Sequence, residues 1–246
     1  MTRHYPLLAG LLGATTLVLA ACNAGAAPGD GAQVGRPPGS PASISQGGGM
    51  QPRDYYFPPS GSYRANYSFT AVNELPGPLA TDSSRVTGTM TFEATAYAPT
   101  QATIRTTSRA TDQNGQTETG SGTAVVRVLP DGTVTSDEQG VSLRYSAGIF
   151  TPAGAEVLPA SGSEIPALRA FSLGEESVSV PAGTYQTVHL GQQIAANGAP
   201  VTHYWLARGV GLVRQRDFAT YSVPINGNAL GVATSSFELQ LDSLTP

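Results

Sequence analysis

Histidines, serines and paired carboxylates are the side chains from which hydrolytic or metal chemistry is built, and this chain offers few in working arrangements. Of its three histidines, His4 lies near the N-terminus, leaving His189 and His203. Each sits in a strand-like segment, Thr187-Val188-His189 and Thr202-His203-Tyr204. Antiparallel strands could bring them together around a metal with Asp217 or Glu238. Yet no HxH, HxxxH or HExxH spacing occurs, so the expectation is no metal and two satisfied strand histidines. A serine nucleophile usually sits on a GxSxG elbow, which is absent; Gly120-Ser121-Gly122 reads as a polar loop. Glu175-Glu176 and Asp137-Glu138 are adjacent carboxylates, and neighbours on a strand point to opposite faces. They read as solvated turn residues and not as a glycosidase pair. All thirteen basic residues are arginine, which excludes Schiff-base and lysine general-base chemistry. A formal charge of −4 with scattered arginines argues against nucleic acid, which needs a clustered basic face. No phosphate-binding loop is visible. The expectation is a protein with no catalytic residues, no metal and no cofactor, and so no enzyme.

The lone cysteine carries a different chemistry. Met1-Thr2-Arg3-His4 is followed by an apolar run from Leu7 to Leu19 and then Ala20-Ala21-Cys22. A basic head, about 7–15 apolar residues and small residues at the cut describe a signal peptide. The run is too short to span a bilayer, which takes roughly 20 residues. Leu19-Ala20-Ala21-Cys22 resembles the bacterial lipobox. The resemblance implies that Cys22 receives diacylglycerol, that cleavage removes residues 1–21, and that Cys22 becomes the lipid attachment point. Several acyl chains make a lasting anchor where one does not. Asn23, where an aspartate would retain an enteric-type lipoprotein at the inner membrane, leans towards the outer membrane. The expected location is therefore the cell envelope, lipid-anchored, at the outer membrane or periplasm. The mature chain would carry twelve arginines against seventeen acids and no thiol.

Residues 22–54 hold almost no large apolar side chains and include Pro37-Pro38-Gly39 and Gly47-Gly48-Gly49. Such a stretch cannot bury enough surface to offset its ordering entropy. It reads as a flexible tether, roughly 30 Å end to end as a random coil. From Tyr55 to Pro246 the pattern becomes period two and reads as a single antiparallel β domain. Ala65, Tyr67, Phe69 and Ala71 alternate with Asn66, Ser68 and Thr70. Met90, Phe92, Ala94 and Ala96 alternate with Thr91, Glu93 and Thr95, and Phe237, Leu239 and Leu241 with Glu238 and Gln240. Alternation of this kind marks strands with one buried face. Pro130-Asp131-Gly132, Asn114-Gly115, Pro181-Ala182-Gly183, Asn197-Gly198 and Asn226-Gly227 are turn signals. The expected fold is all-β: about ten strands, no convincing helix, one sheet curled into a half-barrel or folded into a sandwich.

The most distinctive stretch runs from Tyr204 to Arg214 and holds the only tryptophan, Trp205. It reads as strand, glycine turn, strand, with Trp205 as an inward core anchor and ligand stacking a secondary role. Tyr204-Trp205 with Gly209-Val210-Gly211-Leu212-Val213 resembles the "yW…GvGlV" closing hairpin of small exported bacterial β domains, many of them lipoproteins. Val180-Pro181-Ala182-Gly183-Thr184-Tyr185 is similar to their preceding hairpin. Tyr55-Tyr56-Phe57-Pro58 with Gly61 and Tyr67 is similar to their opening, although Ala65 or Asn66 stands where a tryptophan is frequent. The family is largely uncharacterised; the resemblance implies fold and export and assigns no catalytic residue. The leading expectation is a non-enzymatic envelope lipoprotein that binds or scaffolds an envelope protein. A carrier of a lipid or other hydrophobic ligand comes second, and a hydrolase third. An open apolar cavity in the curved sheet would favour the carrier; a filled core with a protruding apolar patch would favour the scaffold.

Overall fold

The computed structural model describes residues 50–246 except 78, 80–82, 139–140, 159–166, 195–200 and 227–228. It is all-β, as the alternation predicts, with one 12-stranded antiparallel sheet nearly closed into a barrel. The strands are β1 (Arg64–Glu74), β2 (Ser84–Ala98), β3 (Gln101–Asp112), β4 (Thr117–Val128), β5 (Val134–Glu138) and β6 (Val141–Tyr145), then β7 (Ala155–Leu158), β8 (Leu168–Val180), β9 (Gly183–Ile194), β10 (Thr202–Ala207), β11 (Gly211–Asn226) and β12 (Ala229–Thr245). Their order in the sheet is β6-β5-β4-β3-β2-β1-β12-β11-β10-β9-β8-β7. Each half is a run of neighbouring hairpins. The halves join where β1 pairs with β12, and the two edges, β6 and β7, come to lie side by side. The count exceeds the ten or so expected, and β5, β6 and β7 are the shortest strands.

Turn chemistry places the hairpins. Asp112 Oδ1 accepts the backbone N–H groups of Asn114 and Gln116, and Gly115 takes the positive φ of 79° that closes the β3–β4 turn. Asp131 Oδ1 accepts the Thr133 N–H in the β4–β5 turn. Pro181-Ala182 links β8 to β9, and the Ala182 N–H donates to the Leu241 carbonyl, so this hairpin tip reaches across to β12. Asn226 ends β11, whereas Gly227 and Asn197-Gly198 lie outside the described residues.

Directly opposed residues in antiparallel strands share a face. Tyr67 opposes both Met90 and Leu241, and Phe69 opposes Leu239; all are buried in one interior cluster with Tyr63 and Val213. A second cluster gathers Val134, Leu143, Tyr145, Ile149, Val157, Leu190, Tyr204 and Leu206. Residues 50–54, assigned by composition to the linker, pack onto the barrel. Pro52 is fully buried, and Arg53–Tyr56 forms a single helical turn, α1. The Asp54 carbonyl accepts the Gly209 N–H at 2.7 Å, and its carboxylate pairs with Arg208 at 3.2 Å. This turn, together with a 3-10 turn over Ala147–Phe150, qualifies the all-strand reading.

Three local expectations are corrected. Gly120-Ser121-Gly122 is not a loop but part of β4, paired with Thr106, Thr107 and Ser108 of β3. The carboxylate pairs are not turn residues: Asp137 and Glu138 end β5, and Glu175 and Glu176 lie within β8. Trp205 does not point into the barrel. Tyr204 and Leu206 line the interior, and alternation turns Trp205 to the outer face, opposite His189 and Arg214.

Candidate functional site

The barrel encloses a cavity of about 210 Å³ lined by residues of both interior clusters. Its wall is mostly aromatic and aliphatic. Tyr63, Tyr67 and Phe92 face it from β1 and its approach and from β2, Ile104 and Ala124 from β3 and β4, and Tyr204 and Leu206 from β10. α1 contributes Tyr55 and Tyr56, followed by Phe57. The Tyr56 ring stacks on Tyr145 with centroids 4.0 Å apart, and Tyr55 packs against Phe150 at 4.9 Å. The inward tyrosines keep their hydroxyls satisfied at the wall: Tyr63 donates to the Val210 carbonyl and Tyr67 to that of Leu212, each at 2.9 Å. Burial pushes the Tyr63 hydroxyl up to about 12, so it stays a neutral donor at any physiological pH.

Among the described residues, one ionisable group lines this cavity besides the tyrosines. Val134, Ser136 and Glu138 alternate inward along β5, so the last inward place of the strand carries a carboxyl group. Its Oε1 is buried and has no hydrogen-bond partner among the described residues. Burial pushes the group up to about 7, because an unpaired carboxylate is disfavoured away from water. No arginine lines the cavity among the described residues. Sequence reasoning dismissed Glu138 as one of two adjacent acids. The signal was nevertheless present: in Val134–Glu138 the alternation that sends Asp137 outward sends Glu138 inward.

A second cluster occupies the outer face of β8–β10. Glu176 accepts the Trp205 Nε1–H at 2.6 Å and contacts His189 Nδ1 at 2.9 Å. His189 Nε2 lies 2.8 Å from His203 Nδ1. A carboxylate only accepts, so His189 donates from Nδ1; in its neutral form Nε2 then accepts from His203 Nδ1–H. Burial, the first cause in each, holds both rings below the ordinary histidine value and so favours the neutral pair. The Trp205 ring stacks on His189 at 4.4 Å with Arg214 over it at 5.4 Å, leaving the residue 8 % exposed. Trp205 is therefore buried, as a core anchor would be, but on the outer face of β10: it belongs to the hydrophobic cluster that holds Val178 and Ala207, with His189 and Arg214 over its ring.

The histidines thus meet, but around Glu176 and not around the acids weighed from sequence. Asp217 accepts from Gln215, and burial raises it to about 6. Glu238 binds Arg214 and Arg216. Among the described residues no group of three His, Cys, Asp or Glu side chains is placed to hold a metal. Cys22 lies outside the described residues.

No protein family and no curated protein matches the chain by sequence. Among solved structures it is similar to a candidate lipoprotein from Parabacteroides distasonis ATCC 8503, at 14% identity and a TM-score of 0.40, covering 78% of this chain and 99% of that one. A β-barrel-like protein of a domain of unknown function from Brucella abortus matches at 12% identity and TM-score 0.29, covering 74% and 96%. A candidate outer membrane lipoprotein-sorting protein domain from Vibrio parahaemolyticus matches at 10% and 0.22, covering 76% and 86%. All three scores lie below 0.5, and the likeness carries no functional argument.

Proposed function

We propose that this protein is a lipid-anchored envelope lipoprotein whose barrel binds a small hydrophobic or amphiphilic ligand. The supporting observation is the cavity of about 210 Å³, walled by aromatic and aliphatic side chains that include Tyr55 and Tyr56 of α1. A drug-sized site occupies about 300–1,000 Å³, so the volume suits one short acyl chain or a compact apolar molecule and not a whole diacyl lipid. Burial of each methylene contributes about 0.8 kcal/mol, enough for a short chain to bind usefully. The cavity supports ligand binding ahead of scaffolding, which the sequence alone favoured.

The anchor is Cys22, on the lipobox pattern, and the Gly- and Pro-rich composition that follows it supports a tether between lipid and domain. Outer membrane or periplasm is the reading that Asn23 supports. The role is binding and not catalysis. Glu176, His189 and His203 bond to one another and, through Glu176, to Trp205.

Binding is tested by titrating the protein with 1-octanol while following its melting temperature, which a ligand of the native state raises by linkage. Ala124 faces the cavity from β4, and Ala124→Leu fills part of it. The wild type should show a saturable rise that Ala124→Leu loses while remaining folded. No rise in the wild type, or an equal rise in both, would reject the proposal.

A further inference from the structure

We infer that the cavity selects amphiphiles with a cationic amine head, held by Glu138. The inference rests on the cavity being a ligand site and names the chemistry of that ligand. Glu138 brings the cavity a carboxyl group whose inner oxygen is buried without a partner among the described residues. A buried polar atom without a partner is costly, and a ligand donor is one way to satisfy the inner oxygen of this half-buried carboxyl group. The missing partner is a donor, because a carboxylate accepts through both oxygens. No arginine lines the cavity among the described residues, and the chain has no lysine, so the protein itself offers no such cation there.

The aromatic lining agrees with this choice. Burial, and after it the charge of nearby Glu138, raises the Tyr145 hydroxyl, and the Tyr145 ring stacks with that of Tyr56. Tyrosine faces attract ammonium groups and give nothing to a carboxylate. Burial holds a proton on the empty site up to about pH 7. Below that pH, entry of an ammonium head releases that proton to solvent and leaves an ion pair, with net charge inside the cavity unchanged; above it, the ammonium neutralises a carboxylate already formed. A fatty acid would instead set a second carboxylate beside the first, which like-charge repulsion opposes.

The test compares octylamine, 1-octanol and octanoate on the full-length protein at pH 8, with wild type, Glu138→Gln and Glu138→Asp. Octylamine should bind wild type at least about tenfold more tightly than octanol, with octanoate weakest; a tenfold gap is about 1.4 kcal/mol. Glu138→Gln should bring octylamine to the octanol value with octanol binding retained, and Glu138→Asp should keep part of the preference. Lowering the wild type to pH 5 should erase the preference in the same way. If octanol binds but octylamine binds no better, or the preference survives Glu138→Gln, the amine inference fails and the hydrophobic site stands. If no octyl compound binds, both fall together.

Discussion

Glu138 and the His189–His203 pair respond to pH in opposite senses, although burial is the first cause in each. The carboxyl rises from 4.5 to about 7, so between those values the folded state holds more protons than the unfolded chain. Stability from this group is present below about 4.5 and is lost as pH rises through 7. Glu138→Gln, which imitates the protonated acid, should melt below or near the wild type at pH 5 and above it at pH 8. The gap should reach roughly 1–3 kcal/mol after allowance for partial exposure, measured by urea unfolding at each pH. The histidines are held below 6.5, so their stability is present above 6.5 and is lost as pH falls towards their depressed values. Trp205 stacks on His189 and is the sole tryptophan, so its emission reports protonation of that ring. The emission midpoint should lie below 6.5. It should fall further in Glu176→Gln, because the carboxylate is the group that opposes desolvation of His189. A midpoint above 6.5 would contradict the neutral pair.

Closeness between neighbouring elements depends on a few small residues. Gly88 of β2 lies opposite Ala110 of β3 and Phe69 of β1. A Cβ there would stand 2.2 Å from the Arg109 carbonyl oxygen and 2.5 Å from the Phe69 ring. Those atoms belong to backbone and to a buried ring, so neither yields cheaply. Gly88→Ala should destabilise by about 1–3 kcal/mol in chemical denaturation, through overpacking and not through loss of a contact. α1 shows the same dependence on position over propensity. Four residues make a poor helix alone; this turn persists because Pro52 and Tyr55 are buried and the Asp54 carbonyl receives a hydrogen bond from the β10–β11 turn.

For the whole molecule, the proposed anchor and the proposed cavity divide the work: lipid on Cys22 fixes location while the barrel holds the ligand. Cys22→Ser should abolish membrane association and leave the precursor unprocessed, because the lipoprotein peptidase implied by the lipobox acts on the modified cysteine. Mass spectrometry of the N-terminus checks this. An unmodified Cys22 on a membrane-bound protein would remove the lipobox reading while leaving the cavity untouched.

Period-two alternation and turn chemistry were enough to read the all-β antiparallel class, and the hairpins at Asn114-Gly115, Pro130-Asp131-Gly132 and Pro181-Ala182-Gly183, because both are local properties of a few adjacent residues. Which face of a strand turns inward is not local. In Thr202–Ala207 both faces carry an aromatic, and only closure of the sheet decided that Tyr204 enters the barrel while Trp205 lies under His189 and Arg214. The meeting of Glu176, His189 and His203 likewise depends on the β8–β9 and β9–β10 registers, which place residues far apart in the chain side by side. Glu138 looked like an ordinary solvated acid until the curved sheet put it on a concave wall. The cavity belongs to the nearly closed barrel alone, since no single strand specifies how far the sheet bends or what its interior leaves unfilled.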